Sequence, residues 1–442
     1  MYFLWFLSFL HFISTKVIIP FITIKENFTK NYDPSIFMFH YFPNKIETTI
    51  KLGTPTQEIS LRIKTFTAPI SVNSVQMGTY QITRFNESNS SSFISLNDKP
   101  LYYGEYDFKS ALKSKEILCL NDDLKLNNFT FFLGITESLY YRESGVLGLN
   151  YPDLDMRIKD VSFIKQLKER KLIDKYIFYI TYNDNNDTGK VIFGSLPHDI
   201  DPQKYDQNKY DEFYATIVRS TLGLTARESY YGDVFIDSAF NIELAIEDNF
   251  IRGTKIFRTI LEENFFQKYI DRNICKSEIF SYIDNKNQLF FHCSKEVNLT
   301  DFKSIILSID NSELKIELNA SDLFLEYNDN YYFMMYFPTG DYTSEYFRLS
   351  KIFFKKYIIT FNFDNKMIGY YKNKEANNNG KQNINNSDGE YNYLIPWIII
   401  VILVIIVLSL CFYIIYYKLC KNRVKRANEL KDDYSYEGMI NE

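Results

Sequence analysis

The chain has 442 residues, a formal net charge of −5 and an isoelectric point near 5.7. This length is enough for one large domain or two ordinary ones with a sizeable core. The slightly acidic balance lacks the basic footprint of nucleic-acid-binding proteins, so it argues against a nucleic-acid partner.

The first predicted element is an apolar segment that runs from Tyr2 to Ile13 and stops at Ser14-Thr15-Lys16. It is shorter than the ~20 apolar residues that a spanning helix needs, and it suits the apolar region of a secretory signal peptide. We therefore predict a signal peptide over residues 1–15, with an uncleaved N-terminal anchor as the alternative.

Residues 40–372 show short alternating apolar runs separated by turn residues, which predict strands. The clearest runs are residues 58–63, 190–193 and 356–363. Helical spacing of apolar residues is convincing only over Val161 to Lys171, where Ser162 is a candidate N-cap. Many short strands with one or two helices predict an all-β fold.

The C-terminal part of the sequence changes character twice. Residues 373–393 are rich in Asn and other polar residues, which predicts a flexible stalk. Residues 394–417 contain no Asp, Glu, Lys or Arg and are long enough to cross a bilayer. Five Lys and Arg residues lie between 418 and 426, so the positive-inside rule predicts a single-pass type I protein with a cytoplasmic tail over residues 418–442.

Cysteines and glycosylation sequons fit a lumenal or extracellular ectodomain. Cys275 and Cys293 bracket a short polar loop and form the natural disulfide of an oxidising compartment, whereas Cys119 is predicted to be a buried thiol. Eight Asn-x-Ser/Thr sequons, candidate glycosylation sites, lie between the two apolar segments. They are Asn27, Asn86, Asn89, Asn128, Asn186, Asn298, Asn319 and Asn385.

Several segments, in chain order, resemble the motifs of pepsin-like aspartic peptidases. The turn at residues 53–57 is similar to "GTPxQ", and residues 85–93, 145–152, 163–172, 189–195, 234–240, 348–357 and 361–370 are similar to later motifs of the family. The resemblance covers residues 40–372 and implies two β-barrel-like lobes, here 40–205 and 206–372, separated by a long cleft. It also implies a C-lobe disulfide at Cys275 and Cys293 and a flap that carries Tyr103, although a packed hairpin aromatic is the alternative for Tyr103.

The two catalytic positions that the resemblance implies are altered. In the family each lobe supplies one Asp, and the two carboxylates share one proton. Lys64 stands where the first Asp is expected, and an ammonium group has no acceptor with which to take a proton from water. Asp237 matches the second Asp, and it either pairs with Lys64 or is a strand-end residue bonded to backbone. Phe66 and Ala239 replace the glycines that follow in each motif.

Three functions remain open from the sequence. The first is a catalytically inactive, membrane-anchored relative of aspartic endopeptidases that still holds an extended peptide or protein in its cleft. The second is an active membrane-anchored endopeptidase that uses Asp237 and a non-standard second acid. The third is a purely structural surface glycoprotein. No cofactor is implied, and the four His show no metal-ligand spacing. The topology predicts an ectodomain in the secretory pathway, a vacuole or lysosome, or at the cell surface.

Overall fold

The fold is built mainly from β-strands, as the sequence predicts. The computed structural model describes residues 16–24, 34, 38, 45–65, 69–77, 83–97, 101–102, 108–120, 124–137, 144–150, 159–183, 187–218, 221–282, 286–339 and 346–372. All of them lie within one compact unit that extends to Glu375. The predicted signal peptide, stalk, membrane segment and tail lie outside the described residues. Among the helices that are described, none has the length and apolarity needed to span a membrane.

The strands of the first half, together with two that return from the C-terminal end, form the first sheet. They are β1 (Val17–Ile24), β2 (Lys45–Leu52), β3 (Gln57–Lys64), β4 (Ile70–Asn73), β5 (Ile94–Ser95), β6 (Leu101–Tyr102), β7 (Phe108–Cys119), β8 (Lys125–Glu137), β9 (Gly145–Gly148), β10 (Ile177–Asn183), β11 (Thr188–Phe193) and β12 (Tyr210–Tyr214), with β25 (Ile359–Asn362) and β26 (Met367–Tyr371). Within the described chain their order is β12-β26-β25-β10-β11-β1-β2-β3-β9-β4-β8-β7-β5, and β6 also pairs with β7.

The strands between β12 and β25 form the second sheet. They are β13 (Thr216–Val218), β14 (Thr221–Tyr231), β15 (Val234–Ile236), β16 (Phe240–Leu244), β17 (Ile251–Arg252), β18 (Cys275–Tyr282), β19 (Lys286–Ser294), β20 (Ile305–Ile309), β21 (Lys315–Leu318), β22 (Phe324–Tyr327), β23 (Asn330–Pro338) and β24 (Tyr346–Leu349). Their described order is β18-β19-β23-β17-β24-β16-β14-β20-β21, with β13 and β15 on β14 and β22 on β23.

Helices are short and lie between strands. The described α-helices are α1 (Phe163–Glu169), α2 (Pro197–Ile200), α3 (Lys255–Leu261), α4 (Gln267–Ile270), α5 (Ala320–Leu323) and α6 (Lys351–Lys356). A π-helical segment, Glu262–Phe266, joins α3 to α4. The described 3₁₀ turns are Val75–Met77, Glu87–Asn89, Lys159–Val161, Gln207–Lys209 and Leu299–Asp301.

A four-strand arrangement in the first sheet carries the site, and we call it the N-terminal unit: β3, β4, β8 and β9. Strand β3 is parallel to β9, β9 is antiparallel to β4, and β4 is parallel to β8. Val146 on β9 pairs with Arg62 on β3 on one side and with Ser71 on β4 on the other. Strand β3 alternates, burying Ile59, Leu61 and Ile63, which fixes its register because a shift by one residue would expose all three.

The second sheet repeats this arrangement in a C-terminal unit made of β16, β17, β23 and β24. Strand β16 is parallel to β24, β24 is antiparallel to β17, and β17 is parallel to β23. Arg348 on β24 pairs with Glu243 on β16 and with Arg252 on β17. Arg252 follows Glu243 by nine residues, and Ser71 follows Arg62 by the same nine, so the two units superpose in register.

Most local predictions are confirmed, with two corrections. The runs at 58–63 and 190–193 lie in β3 and β11, and the helix appears as α1. Ser162 precedes α1, but its side chain makes no capping hydrogen bond. The run at 356–363 is not one strand, since α6 occupies its start and β25 begins at Ile359.

The predicted cysteine states are confirmed. Cys275 on β18 and Cys293 on β19 face each other in register and are joined by a disulfide. Cys119 is a buried free thiol at the end of β7. Met38, an isolated described residue before β2, is fully buried in a separate apolar cluster with side chains of the second sheet, including Phe250 and Tyr332.

Candidate functional site

The site begins where β3 ends. Lys64 is the last residue of β3 and is only 4% exposed, and Thr65 follows it with the same exposure. The backbone N–H of Leu149, just after β9, donates to the carbonyl oxygen of Lys64 at 2.8 Å. The strand therefore delivers Lys64 and Thr65 into the interior, and not onto an exposed loop.

The register of the two units identifies the matching position in the second sheet. Lys64 lies two residues after Arg62, and two residues after Glu243 stands Ala245. Ala245 is fully buried, directly after β16. By the same register Ile246 matches Thr65. The two equivalent positions are thus occupied by an ammonium group, on Lys64, and a methyl group, on Ala245.

This geometry corrects the prediction for Asp237. Asp237 is exposed on the loop between β15 and β16, before the start of the strand that leads to Ala245. Strand β16 has five residues, and a strand of this length spans roughly 15 Å. Asp237 is therefore at the far end of β16 from Ala245, so the structure does not place it opposite Lys64. Of the two alternatives for Asp237, the pair with Lys64 is therefore not supported, and Asp237 lies directly after the end of β15, as the second alternative expects of a strand-end residue.

Thr65 joins the two units through four hydrogen-bond contacts. Its Oγ1 donates to the carbonyl oxygen of Leu244 at 2.8 Å and accepts from the backbone N–H of Ile246 at 3.2 Å. The same oxygen lies 2.7 Å from Oε2 of Glu247, which also accepts from the backbone N–H of Thr65 at 3.1 Å. All of these groups are buried, so the bonds are shielded from competing water.

Charged side chains surround this junction. Arg348 on β24 donates from Nε to Oε2 of Glu243 at 2.8 Å and from Nη1 to Oδ2 of Asp248 at 2.7 Å. Lys64 acts electrostatically on Asp248. We call Lys64, Glu243, Glu247, Asp248 and Arg348 the junction cluster. Its three acidic residues are buried, with exposed fractions of 1% for Glu243, 7% for Glu247 and 8% for Asp248, and charges so buried persist only when they are paired.

Burial and pairing shift the pKa values of the acids in the cluster. Burial, followed by the neighbouring Asp248, raises the pKa of Glu247 to about 7, against the lowering effect of the hydrogen bonds from Thr65. Burial also raises the pKa of Asp248, while Arg348 and then Lys64 pull it down. For Arg348, burial works against the charged form, but Glu243 and Asp248 hold its pKa above the ordinary value.

Little space is left behind the junction. A cavity of about 10 Å³ is lined by Thr65, Leu244, Phe178 and Phe361 among others, which is room for at most about one water molecule. No group of three or more His, Cys, Asp or Glu within the described ranges is placed to hold a metal ion. The predicted flap residue Tyr103 and the residue Phe66 lie outside the described part of the chain.

The described sequons differ in how they are presented. Asn89, Asn128 and Asn298 are exposed, whereas Asn86 and Asn319 are partly buried. The side chain of Asn319 accepts the backbone N–H of Asp322 at the start of α5, and that of Asn298 accepts from Thr300. Asn27, Asn186 and Asn385 are outside the described residues, and glycosylation stays a prediction for all eight.

The sequence interpretation missed Ala245 and the acids that follow it. The retained Asp in Val234-Phe235-Ile236-Asp237 drew the match to β15, because β16 ends at Leu244 and the residue that follows it, Ala245, is not acidic. Two signals were available. Residues 240–244 alternate and end in a buried run, and Glu247-Asp248 is an acidic pair in an otherwise apolar stretch, with Arg348 as the matching cation.

The comparisons with known proteins agree with the repeated architecture. A family model described as eukaryotic aspartyl protease matches residues 46–372, about three quarters of the chain. A search of curated protein sequences finds no match. The matched range begins in β2 and ends directly after β26, so it includes both four-strand units. The chain belongs to the eukaryotic aspartyl protease family.

Proposed function

We propose that this protein is a catalytically inactive member of the aspartyl protease family, a pseudopeptidase. One observation carries the proposal: the two equivalent positions in the repeated units hold Lys64 and Ala245. Peptide hydrolysis by this family needs one ionised and one protonated carboxyl sharing a site. An ammonium group and a methyl group supply neither the base nor the acid.

The neighbouring acids do not substitute for the missing pair. Glu243 and Asp248 accept hydrogen bonds from Arg348, and Glu247 is bound to Thr65. The oxygens of Glu243 and Asp248 that accept from the guanidinium group are engaged in charge-assisted hydrogen bonds, so they are not free to bind and orient a water molecule. The active-endopeptidase alternative, which uses Asp237, would need that exposed residue to move the length of β16.

The test is an acid-pH cleavage assay of the full-length chain on a denatured protein, with and without pepstatin. We expect no pepstatin-sensitive cleavage. Lys64→Asp alone should stay inactive because position 245 still lacks a carboxyl. The double variant Lys64→Asp/Ala245→Asp has a carboxyl at both positions, so it is assayed beside the single variant for comparison. Pepstatin-sensitive cleavage by the unmodified chain that Asp237→Asn abolishes would overturn the proposal and restore the active-endopeptidase reading.

The proposal also includes a binding role for the cleft that the family resemblance implies between the two lobes. We propose that an extended peptide or protein segment binds there by main-chain pairing, as in other proteins that add a strand to a sheet edge. The measurement is binding of a labelled library of unstructured peptides to the full-length chain. Saturable binding supports a receptor role, and its absence favours the purely structural surface glycoprotein.

We further propose single-pass anchoring through residues 394–417 with the ectodomain lumenal or extracellular. The apolar run and the basic residues that follow it support this topology. Alkaline carbonate extraction of membranes tests the anchor, and glycosidase digestion tests the orientation. Release of the chain into the soluble fraction, or no change in mass with glycosidase, would contradict the respective part.

A further inference from the structure

A cavity of about 630 Å³ opens on the outer face of the second sheet, along β14, β20 and the turn that leads to β21. Its volume lies within the ~300–1,000 Å³ that is usual for small-molecule sites. Side chains alternate across the two strands: Ser229 and Leu307 point into the core and are fully buried, so the residues beside them face outward. None of the described lining residues belongs to the junction cluster, and we call this site the outer cavity.

One end of the outer cavity continues into an apolar platform built from three neighbouring strands. Tyr230 on β14 pairs directly with Phe235 on β15 and with Ile306 on β20, so the three side chains share one face. The rings of Tyr230 and Phe235 lie 5.3 Å apart, and Phe235 is 51% exposed. The hydroxyl of Tyr230 donates to Oε2 of Glu228 at 3.2 Å, which holds the ring in place. A ring that is already held loses little freedom when a ligand stacks on it.

The remainder of the outer cavity is lined by charges of both signs. Arg227 lies in a β-bulge of β14, so Arg227 and Glu228 both line the cavity although they are consecutive residues. Asp310 and Lys315 line it from the hairpin of β20 and β21. We call these four side chains the charged set, and none of them forms an ion pair with a residue that the structure describes. Their charges therefore stay available to a ligand.

The acids of the charged set also keep free hydrogen-bonding capacity. Oε2 of Glu228 accepts from Tyr230, and Oδ2 of Asp310 accepts from the amide of Asn311. The second oxygen of each carboxylate accepts no hydrogen bond from a described group, and the hydroxyl of Ser308, opposite Glu228 in the register, has no described partner either. The outer cavity thus offers acceptors, a hydroxyl that can do both, and donors on the cations.

The arrangement of the charged set decides which class of ligand fits. Two positive and two negative charges cancel, so the set does not favour an anion or a cation. The cation Arg227 adjoins the acid Glu228 on one wall, and the hairpin opposite also carries one of each sign, so there are no separate poles for a zwitterion. A sugar hydroxyl donates one hydrogen bond and accepts others, so it can bind to acids and cations alike. The C–H groups of a sugar ring are attracted to the negative face of an aromatic ring.

We propose that the outer cavity is a binding site for a neutral carbohydrate, in which the apolar platform stacks on a sugar ring and the charged set hydrogen-bonds its hydroxyl groups. The site does not depend on the proposed function, because it lies outside the catalytic positions and serves an inactive or an active protein equally.

The experiment measures the binding of four neutral trisaccharides, maltotriose, cellotriose, mannotriose and chitotriose, to the full-length chain without sugar-headed detergents. Saturation-transfer NMR detects binding and calorimetry gives its Kd. We expect saturable binding of at least one of the four. Tyr230→Ala should weaken it at least about tenfold because the stacking ring is lost. Glu228→Gln should weaken it at least about fivefold, because an uncharged acceptor forms a weaker hydrogen bond.

Two further variants separate a loss of the site from a loss of the fold. Phe235→Ala removes a half-exposed ring of the platform and should weaken binding about threefold or more with an unchanged circular dichroism spectrum. Tyr214→Ala removes an exposed ring at the end of β12, outside the lining, and should leave the Kd unchanged. The proposal would be overturned by any of three results: no saturable binding of the four trisaccharides, equal effects of Tyr214→Ala and Tyr230→Ala, or tighter binding of an anionic heparin tetrasaccharide.

Discussion

The N-terminal and C-terminal units share one backbone plan and differ sharply in side-chain chemistry. In each unit a parallel strand pair, β3 with β9 or β16 with β24, is followed by an antiparallel neighbour, β4 or β17, and the residue registers of the two units are the same. Yet Gly145 at the start of β9 corresponds to Phe347 on β24. A Cβ on Gly145 would lie 2.3 Å from the carbonyl oxygen of Ser71, whereas Phe347 fills an aromatic cluster with Phe240 and Phe257. The two units therefore share the same pattern of strand pairing, but different side chains fill the equivalent positions in each.

The charges diverge in the same way. The N-terminal unit delivers one cation, Lys64, and the C-terminal unit supplies three acids and Arg348. In a family that uses one carboxyl from each half, this is an asymmetric replacement of a symmetric site. It teaches that two units can keep the same strand register while their buried charges differ, because the register is fixed by the buried alternation of the strands.

The largest effect should come from removing the cation of the C-terminal unit. Arg348→Met leaves Glu243 and Asp248 buried without their partner, and breaking such a pair costs about 3–5 kcal/mol of unfolding free energy. Urea unfolding at about pH 7 measures the loss. Lys175→Met is the control, since the exposed Lys175 forms a surface pair with Asp199 at 3.4 Å, and it should cost at most about 1 kcal/mol. Equal losses for both variants would mean that the junction cluster is no tighter than a surface pair.

A smaller effect should follow from cutting the link between the units. Thr65→Val keeps the shape of the side chain but removes the hydroxyl that bonds to Leu244, Ile246 and Glu247. Leaving buried partners unsatisfied costs about 1–3 kcal/mol. Thr259→Val, on the exposed face of α3, should change stability by less than about 0.5 kcal/mol. A Thr65 variant as stable as this control would show that the two units are held together elsewhere.

The smallest effect tests the corrected position of the site. Asp237→Asn replaces an exposed loop residue and should shift the unfolding free energy by no more than about 0.5 kcal/mol. Its cleavage-assay behaviour should match that of the unmodified chain at every pH. A loss of stability like that of Arg348→Met would return Asp237 to the buried site and undo the assignment of Ala245.

The sequence predicts the fold well because strand patterns are local. The alternation in residues 57–64 and the helical spacing before Glu169 depend on neighbours a few positions away. The site depends on pairings between distant strands. Nothing near Ala245 in the chain marks it as the partner of Lys64, and only the register of β16 on β24 reveals it. A retained aspartate three residues before that strand was the stronger local signal and the wrong one.

Of the charges in the junction cluster, the cation Lys64 could be predicted from the sequence and the acids near it could not. The motif in the turn at residues 53–57 aligns β3 with the family pattern, and this alignment places Lys64 where an acid is expected. Its acidic partners come from a segment about 180 residues further on, and their pKa values depend on burial, which no local pattern reports.

The return of β25 and β26 to the first sheet has a consequence for synthesis on the ribosome. Strand β10 pairs with β25, and β12 pairs with β26, so the first sheet is incomplete until residues 359–371 emerge. Tyr214 ends β12, and Ile359, which begins β25, is the 145th residue after it. Translating that stretch takes about 7–29 s at about 5–20 residues per second. During that interval the edge of β10 is unpaired, and an unpaired edge is a template for aggregation. A nascent chain stalled just before Ile359 is therefore the stage at which chaperone binding should be strongest.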